Sequence, residues 1–171
     1  MSSDSMTLYK LIILFILDKV DFPLTNAQLS NFILDKGYTN YFTIQQAIKE
    51  LDASALLKGE TVRNRSLFRI TDAGKETLQF FNKEIGDTIK AEIISYLKEN
   101  KFELREEVSS LSEYYEGKRG EYIAHCYVQE QGSKIIEINL TVPSEEDAVS
   151  ICNNWANKSQ ELYAHLMQEL L

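Results

Sequence analysis

Apolar positions in the first part of the chain recur at the spacing of α-helices. Between residues 6 and 20 they fall three and four apart on more than one side, which predicts a helix with several buried faces. Pro23 ends that helix and begins an extended connection. A second helix is predicted over 25–36, because Thr25-x-x-Gln28 has the pattern of a capping box.

A third helix is predicted over residues 41–54, directly after Asn40, a residue type that favours the N-cap position. The apolar residues Ile44, Ile48 and Leu51 form one stripe, which should face the interior of the domain. The opposite side of this helix is therefore expected to be exposed.

Two short apolar stretches follow, residues 57–62 and 67–70, on either side of the polar segment 63–66 (Arg-Asn-Arg-Ser). This pattern predicts a β-hairpin with a basic tip. Thr71 is then placed to cap a fourth helix. Three helices, a hairpin and a closing helix in this order predict a winged helix-turn-helix over residues 1–84.

The second half has the pattern of a small antiparallel sheet packed against helices, so the predicted class is α+β. The segment 106–116 fits a strand by alternation and a helix by three- and four-residue steps, and we favour the strand. The clearer elements are a helix from Asp87 toward Leu104, strands over 121–129 and 134–142, and a helix from Ser144 to Leu171.

Charge divides the chain near Gly86. Of the net charge of −8, residues 1–84 contribute zero, with ten Lys or Arg and ten Asp or Glu. Residues 85–171 contribute 8 − 16 = −8. The predicted domains are therefore 1–84 and an acidic 85–171, and the acidic one would repel phosphate.

Two segments carry a resemblance to known regulators. The stripe of the third helix, followed by Ala55-Leu56-Leu57, is similar to the recognition helix of PadR-like and MarR-like repressors. Residues 67–75 (Leu-Phe-Arg-Ile-Thr-Asp-Ala-Gly-Lys) resemble the Tyr-x-Leu-Thr-x-x-Gly signature at the end of their wing. The resemblance covers at most residues 7–84 and implies a DNA-binding transcriptional regulator. The whole chain also resembles a bacterial family that places such a domain before a small acidic α/β domain, which implies no activity.

The outward side of the third helix then supplies the candidate readers of double-stranded DNA in the major groove. Gln can pair with adenine through two hydrogen bonds, and Thr can contact the methyl group of thymine. Basic residues on the hairpin 63–66 and beside it are candidates for contacts with the phosphate backbone or the minor groove. The candidate DNA-binding residues are Asn40, Tyr41, Thr43, Gln45, Gln46, Lys49, Lys58, Arg63, Arg65 and Arg69.

Helix-turn-helix proteins bind paired half-sites as two-fold dimers, with recognition helices about 34 Å apart. We therefore expect a homodimer and a near-palindromic operator. The apolar first helix and the long C-terminal helix are the candidate dimer surfaces. The alternative is a winged-helix adaptor that binds proteins and not DNA, which the neutral first half and the acidic second half favour. Glu50 and Asp52 on the third helix would weaken the attraction for phosphate.

Catalytic patterns are missing from the sequence, so an enzyme is not predicted. His125 and Cys126 are neighbours on a predicted strand and should point to opposite faces. Neither a metal-ligand spacing nor a Gly-rich phosphate loop occurs, and no cofactor or metal is expected. The aromatic residues of the second half fit a core beneath a helix, or a pocket for a small-molecule effector.

The longest apolar run, residues 11–17, is far shorter than the ~20 residues that span a bilayer. The first residues do not resemble a secretory signal, and Cys126 and Cys152 are expected to be reduced thiols. These features predict a cytoplasmic protein without a membrane segment.

Overall fold

A computed structural model describes residues 3–171 of the chain. Over that range it has six α-helices and two three-stranded antiparallel sheets, which confirms the predicted α+β class. The residues divide into two compact units. The first unit contains the residues up to Thr61 and residues 65–105, and the second contains residues 62–64 and 106–171.

The first unit holds four helices, one three-stranded sheet and most of a fifth helix. They are α1 (Ser3–Asp18), β1 (Leu24–Thr25), α2 (Asn26–Asp35), α3 (Tyr41–Ala53), β2 (Leu57–Val62), β3 (Arg65–Ile70), α4 (Asp72–Phe81), a 3₁₀ turn (Asn82–Glu84) and α5 (Asp87–Ser109). The strand order is β1-β3-β2, with Leu24 opposite Phe68 and Thr25 opposite Leu67. The strand β1 was not predicted, because two residues are too short to show a period.

The helix α1 is the centre of the first unit. Every residue from Leu11 to Leu17 is buried, as its apolar pattern on several sides predicted. The helices α3 and α4 and the strand β3 pack against it. Residues 11–17 are therefore covered by their own unit, and the prediction that α1 offers a dimer surface stays a prediction.

Side-chain caps begin the helices where the sequence placed them. The hydroxyl of Thr25 accepts from the backbone N–H of Gln28, whose side chain accepts in return from Thr25 N–H. The side chains of Asn40 and Thr71 cap α3 and α4 by accepting from the backbone N–H groups of Thr43 and Gly74. Because these bonds involve residues only three apart, sequence alone was enough to locate them.

The contacts of Thr71 and Gly74 explain why a glycine stands at position 74. Thr71 donates a hydrogen bond to the carbonyl of Ala55 at 2.7 Å and accepts one from Gly74 N–H at 3.0 Å. A Cβ atom added at Gly74 would lie 2.1 Å from the carbonyl oxygen of Leu56. Glycine therefore lets the start of α4 pack directly on the backbone that follows α3.

The hairpin turns at Arg63 and Asn64, which have φ values of 50° and 64°. Two positive φ values are what a type I′ turn requires, and this turn suits the twist of the strands on either side. The strand β3 starts at Arg65, so the turn is shorter than the predicted segment 63–66. By their contacts, residues 62–64 group with the second unit.

The helix α5 belongs mostly to the first unit. The ring of Tyr96 lies 4.6 Å from that of Phe32, and Gln28 Nε2 donates to the carbonyl of Leu104 at 3.3 Å. The units consequently divide between residues 105 and 106, within α5, and not at the predicted position after residue 84. The predicted boundary marks the position where the charge of the sequence changes. The packing of α5 extends the first unit beyond that position.

The second unit is an antiparallel sheet with one long helix across it. Its elements are β4 (Ser110–Glu116), β5 (Tyr122–Glu130), β6 (Ser133–Val142) and α6 (Glu145–Leu170), with strand order β4-β5-β6. This confirms the predicted sheet of three strands. The strand favoured for 106–116 is right from Ser110 onward and wrong for 106–109, where α5 continues.

The core of the second unit lies between the sheet and α6. Cys126, Cys152 and Trp155 are buried there, and Trp155 Nε1 donates to the carbonyl of Tyr127 at 3.1 Å. The expected core beneath a helix is confirmed for Trp155, against whose cluster Tyr114 and Tyr122 pack. Tyr127 is buried on the other face of β5, beside His125, and Tyr115 is half exposed.

Candidate nucleic-acid interface

The helix α3 buries one side and exposes the other. Ile44, Ile48 and Leu51 are buried within the first unit, as the stripe predicted. On the opposite side Gln46 and Lys49 are exposed. This side lies along a helix whose N-terminal turn is fixed by the cap described above, so its side chains project from a rigid element.

Thr43 does not face outward, and this part of the prediction is wrong. Its exposed fraction is only 3%, and its hydroxyl donates to Oδ1 of Asn40 at 3.2 Å. The same oxygen accepts from the backbone N–H of Thr43 at 3.0 Å. Thr43 is one turn before the buried Ala47, so helical geometry turns it inward. Asn40 is exposed, but it serves as a cap and its side-chain oxygen accepts both of these hydrogen bonds from Thr43.

Gln45 is half-buried and bonded to α2. Its Oε1 accepts from Asn26 Nδ2, and its Nε2 donates to Asn26 Oδ1, both at 2.8 Å. The same Nε2 lies 3.2 Å from Ser30 Oγ. The predicted base-reading amide is therefore occupied by contacts that join α2 to α3.

Gln46 is exposed, and its amide donates to Glu50 at 2.6 Å. Glu50 also forms an ion pair with Lys10 of α1. The hydrogen bonds from Lys10 and then from Gln46 lower the pKa of Glu50, so this carboxylate stays charged. An anion on this side of α3 reduces the attraction for phosphate.

The predicted basic residues of the hairpin do not all have the same surroundings. Lys58, Arg65 and Arg69 are exposed. Arg63 is exposed as well, but its Nη2 donates to Oδ1 of Asn153 at 2.9 Å within the second unit. Arg65 is therefore the better candidate of the two arginines at the turn.

A groove of about 490 Å³ separates α3 from the hairpin. Lys49 is the basic residue among those that line it, and Asp52 and Glu60 are the acidic ones. The lining residues are Gln45, Ile48, Lys49, Asp52, Gly59, Glu60, Thr61, Ser66 and Phe68. The groove is consequently not a basic channel. Any contact with phosphate would have to come from the exposed basic residues at its edges.

The sequence analysis missed an aromatic pair at the start of α3. Phe42 is 83% exposed and Tyr41, which was predicted, is 51% exposed. Their rings meet edge to face with centroids 6.1 Å apart. The signal was present in the helix period, because a position two residues before Ile44 lies about 200° around the helix from it.

The second unit places its reactive side chains on opposite faces of β5, as predicted. Cys126 is buried against α6, and burial raises its pKa to about 12. His125 lies between two carboxylates, with Nδ1 3.2 Å from Glu113 Oε1 and Nε2 2.7 Å from Glu137 Oε1. Hydrogen bonds from Lys134, the largest cause, and from His125 lower the pKa of Glu137.

The second unit has a cavity of about 220 Å³, and the expectation of a small-molecule effector stays a prediction. Ser110 and Ser159, whose hydroxyl oxygens are 2.8 Å apart, line it together with Tyr163. Gln160 Nε2 donates to Glu106 at its edge. Among residues 3–171, no three His, Cys, Asp or Glu side chains are grouped to hold a metal ion.

The described chain is thus an α+β protein with an exposed helix face beside a basic hairpin. None of its described helices combines the length and the apolar character needed to cross a membrane. The chain belongs to the DUF4364 family, a domain of unknown function, whose model matches residues 9–170. No curated protein and no solved structure matches it.

Proposed function

We propose that this protein is a DNA-binding transcriptional regulator whose first unit is a winged helix-turn-helix. The observation that carries the proposal is the order α1-β1-α2-α3-β2-β3-α4 with sheet order β1-β3-β2. The unpredicted strand β1 strengthens the assignment, since it completes a small sheet beside the hairpin. The resemblance of residues 67–75 to the wing signature of PadR-like and MarR-like repressors points the same way.

The exposed face of α3 is the part that enters the major groove, which admits one α-helix. Lys49 on that face and Arg65 and Lys58 on the hairpin supply phosphate contacts. The second unit is unsuited to phosphate, because residues 106–171 hold four Lys or Arg and twelve Asp or Glu, giving 4 − 12 = −8. DNA binding is therefore assigned to the first unit alone.

A homodimer is the second part of the proposal, with α6 as its surface. The buried positions of α6 are three and four residues apart and end at Ser159. The same spacing continues through Leu162, Leu166 and Leu170, which are 42%, 40% and 77% exposed. As far as Leu166, steps of three and four residues alternate as they do along a coiled-coil seam. The same seam of a second copy would cover these residues and supply the two-fold symmetry of paired half-sites.

Selection of bound sequences from random duplex DNA with the full-length protein tests the function. The expected result is one enriched motif with two related half-sites. Arg65→Ala should weaken binding to all recovered sequences alike. The control is Lys118→Ala, which removes an exposed basic side chain of the second unit and should leave the affinity unchanged. Recovery of the unselected pool would contradict the proposal.

A protein-binding adaptor is the second candidate function. Glu50, Asp52 and Glu60 lie on α3 or in the groove next to it, and they oppose phosphate. The exposed aromatic pair of α3 also suits a protein partner, since aromatic residues are enriched at protein interfaces. An adaptor should leave duplex DNA unbound even at low salt, whereas a regulator should bind it.

A further inference from the structure

Most of the hydrogen-bonding side chains at and after the start of α3 already have partners within the chain. Asn40 caps the helix, Thr43 is buried, and Gln45 is paired with Asn26. Gln46 is exposed but shares its amide with Glu50. The side chains best suited to read bases through hydrogen bonds are thus the least available ones.

The most exposed large side chains at the start of this helix are aromatic. Phe42 is 83% exposed, and its ring meets the half-exposed ring of Tyr41. Both belong to the first turn of α3, the leading end of a helix that enters the major groove. An adjacent pair of exposed rings on a face that otherwise carries Gln46 and Lys49 is not explained by the core of the first unit.

The major groove presents one apolar group to a protein, the C5-methyl group of thymine, and a phenyl ring is a suitable contact for it. Contact with this methyl group needs no hydrogen bond from the protein. It therefore matches a helix whose amides are engaged elsewhere.

We propose that Phe42, supported by the ring of Tyr41, recognises thymine by its methyl group, so that this protein reads its operator mainly by apolar contact. The inference rests on the proposed DNA-binding function and names what the exposed face of α3 recognises. Phe42 makes the methyl contact, and Tyr41 limits the directions in which the phenyl ring can turn. Lys49, seven residues further along α3, anchors the helix to phosphate.

Replacement of thymine by uracil isolates this contact, since uracil keeps the hydrogen-bonding groups of thymine and lacks only the methyl. The probes are the duplex recovered by selection and the same duplex synthesised with uracil at every thymine. The full-length protein should bind the uracil duplex about tenfold more weakly, the lower end of what one buried methyl group contributes to discrimination.

Substitutions at position 42 test whether Phe42 causes the preference for the thymine duplex. Phe42→Ala should bind both duplexes with equal affinity, at about the level that the unaltered protein shows for the uracil duplex. Phe42→Leu, which keeps an apolar side chain, should retain part of the preference for thymine. The matched control is Phe102→Ala, because Phe102 is also highly exposed (72%) but lies on α5. It should preserve the full preference.

The possible results distinguish failure of methyl recognition from failure of the proposed DNA binding. Failure of the unaltered protein to bind any duplex overturns the proposed function. Equal binding of the thymine and uracil duplexes, or a selected site without A·T pairs, overturns methyl recognition and leaves DNA binding intact. A preference for thymine that persists in Phe42→Ala overturns the assignment to this residue.

Discussion

The side-chain amides of Gln45 on α3 and Asn26 on α2 satisfy each other through two hydrogen bonds, each 2.8 Å long. Ser30 Oγ adds a bond to Asn26 Oδ1 at 3.0 Å. These contacts connect the two helices whose mutual angle sets the direction in which α3 projects. Gln45 is therefore assigned to positioning α3 and not to reading bases.

Gln45→Ala should lower the free energy of unfolding by about 1–2 kcal/mol, because it removes both hydrogen bonds to Asn26 and leaves Asn26 Nδ2 without its acceptor on α3. Urea denaturation of the full-length protein measures the change. Gln46→Ala, at the neighbouring exposed position, should change stability by less than about 0.5 kcal/mol. Equal losses in the two variants would contradict the assignment.

Gly74→Ala should destabilise the protein by about 1–3 kcal/mol, the usual cost of forcing an extra group into a packed site. The new methyl group would overlap the carbonyl oxygen of Leu56, which is backbone and cannot turn away. The matched control is Gly86→Ala, where an added Cβ meets nothing within 4 Å. If thermal unfolding shows both variants to be as stable as the unaltered protein, the close approach of α4 to Leu56 is not as described.

The loss of stability at acidic pH should depend in part on Glu137. Hydrogen bonds from Lys134 and then His125 depress its folded pKa, so the folded protein binds this proton less readily than the unfolded chain does. The resulting stability is present above the ordinary pKa of 4.5 and is lost as pH falls through the folded pKa. Urea midpoints of Glu137→Gln should lie below those of the unaltered protein at pH 6, and the two should converge at lower pH. Profiles that stay parallel down to the acid limit would rule out this role.

The proposed dimer surface on α6 predicts the oligomeric state of two variants. Light scattering should give twice the chain mass for the unaltered protein and a lower mass for Leu166→Glu, because a charge in a coiled-coil seam opposes pairing. Leu140→Glu alters a leucine of similar exposure (43% against 40%) on β6 and should remain dimeric. A monomeric unaltered protein, or a monomer produced by Leu140→Glu alone, would refute the surface.

Local signals made much of the fold predictable from sequence. The caps Thr25, Asn40, Thr71 and Ser144 were located because each bonds a residue three positions later. The buried stripe of α3 followed from the helix period alone. The α+β class and the second sheet could therefore be predicted before the structure was known.

Longer-range contacts decided what the sequence analysis missed. The extent of the first unit depends on Tyr96 and Leu104 of α5 meeting α2, which composition cannot reveal. Gln45 was taken as a base reader because its partner Asn26 lies 19 residues away in sequence. Phe42 was overlooked because base-reading residues were sought among polar side chains.

The dependence of duplex affinity on salt tests the central claim most directly. For the unaltered full-length protein and the duplex recovered by selection, affinity should fall steeply as salt rises, since phosphate contacts release counterions. Arg65→Ala should reduce that slope by about 1. Absence of binding at low salt, or a slope near zero, would contradict the account and favour a protein-binding adaptor.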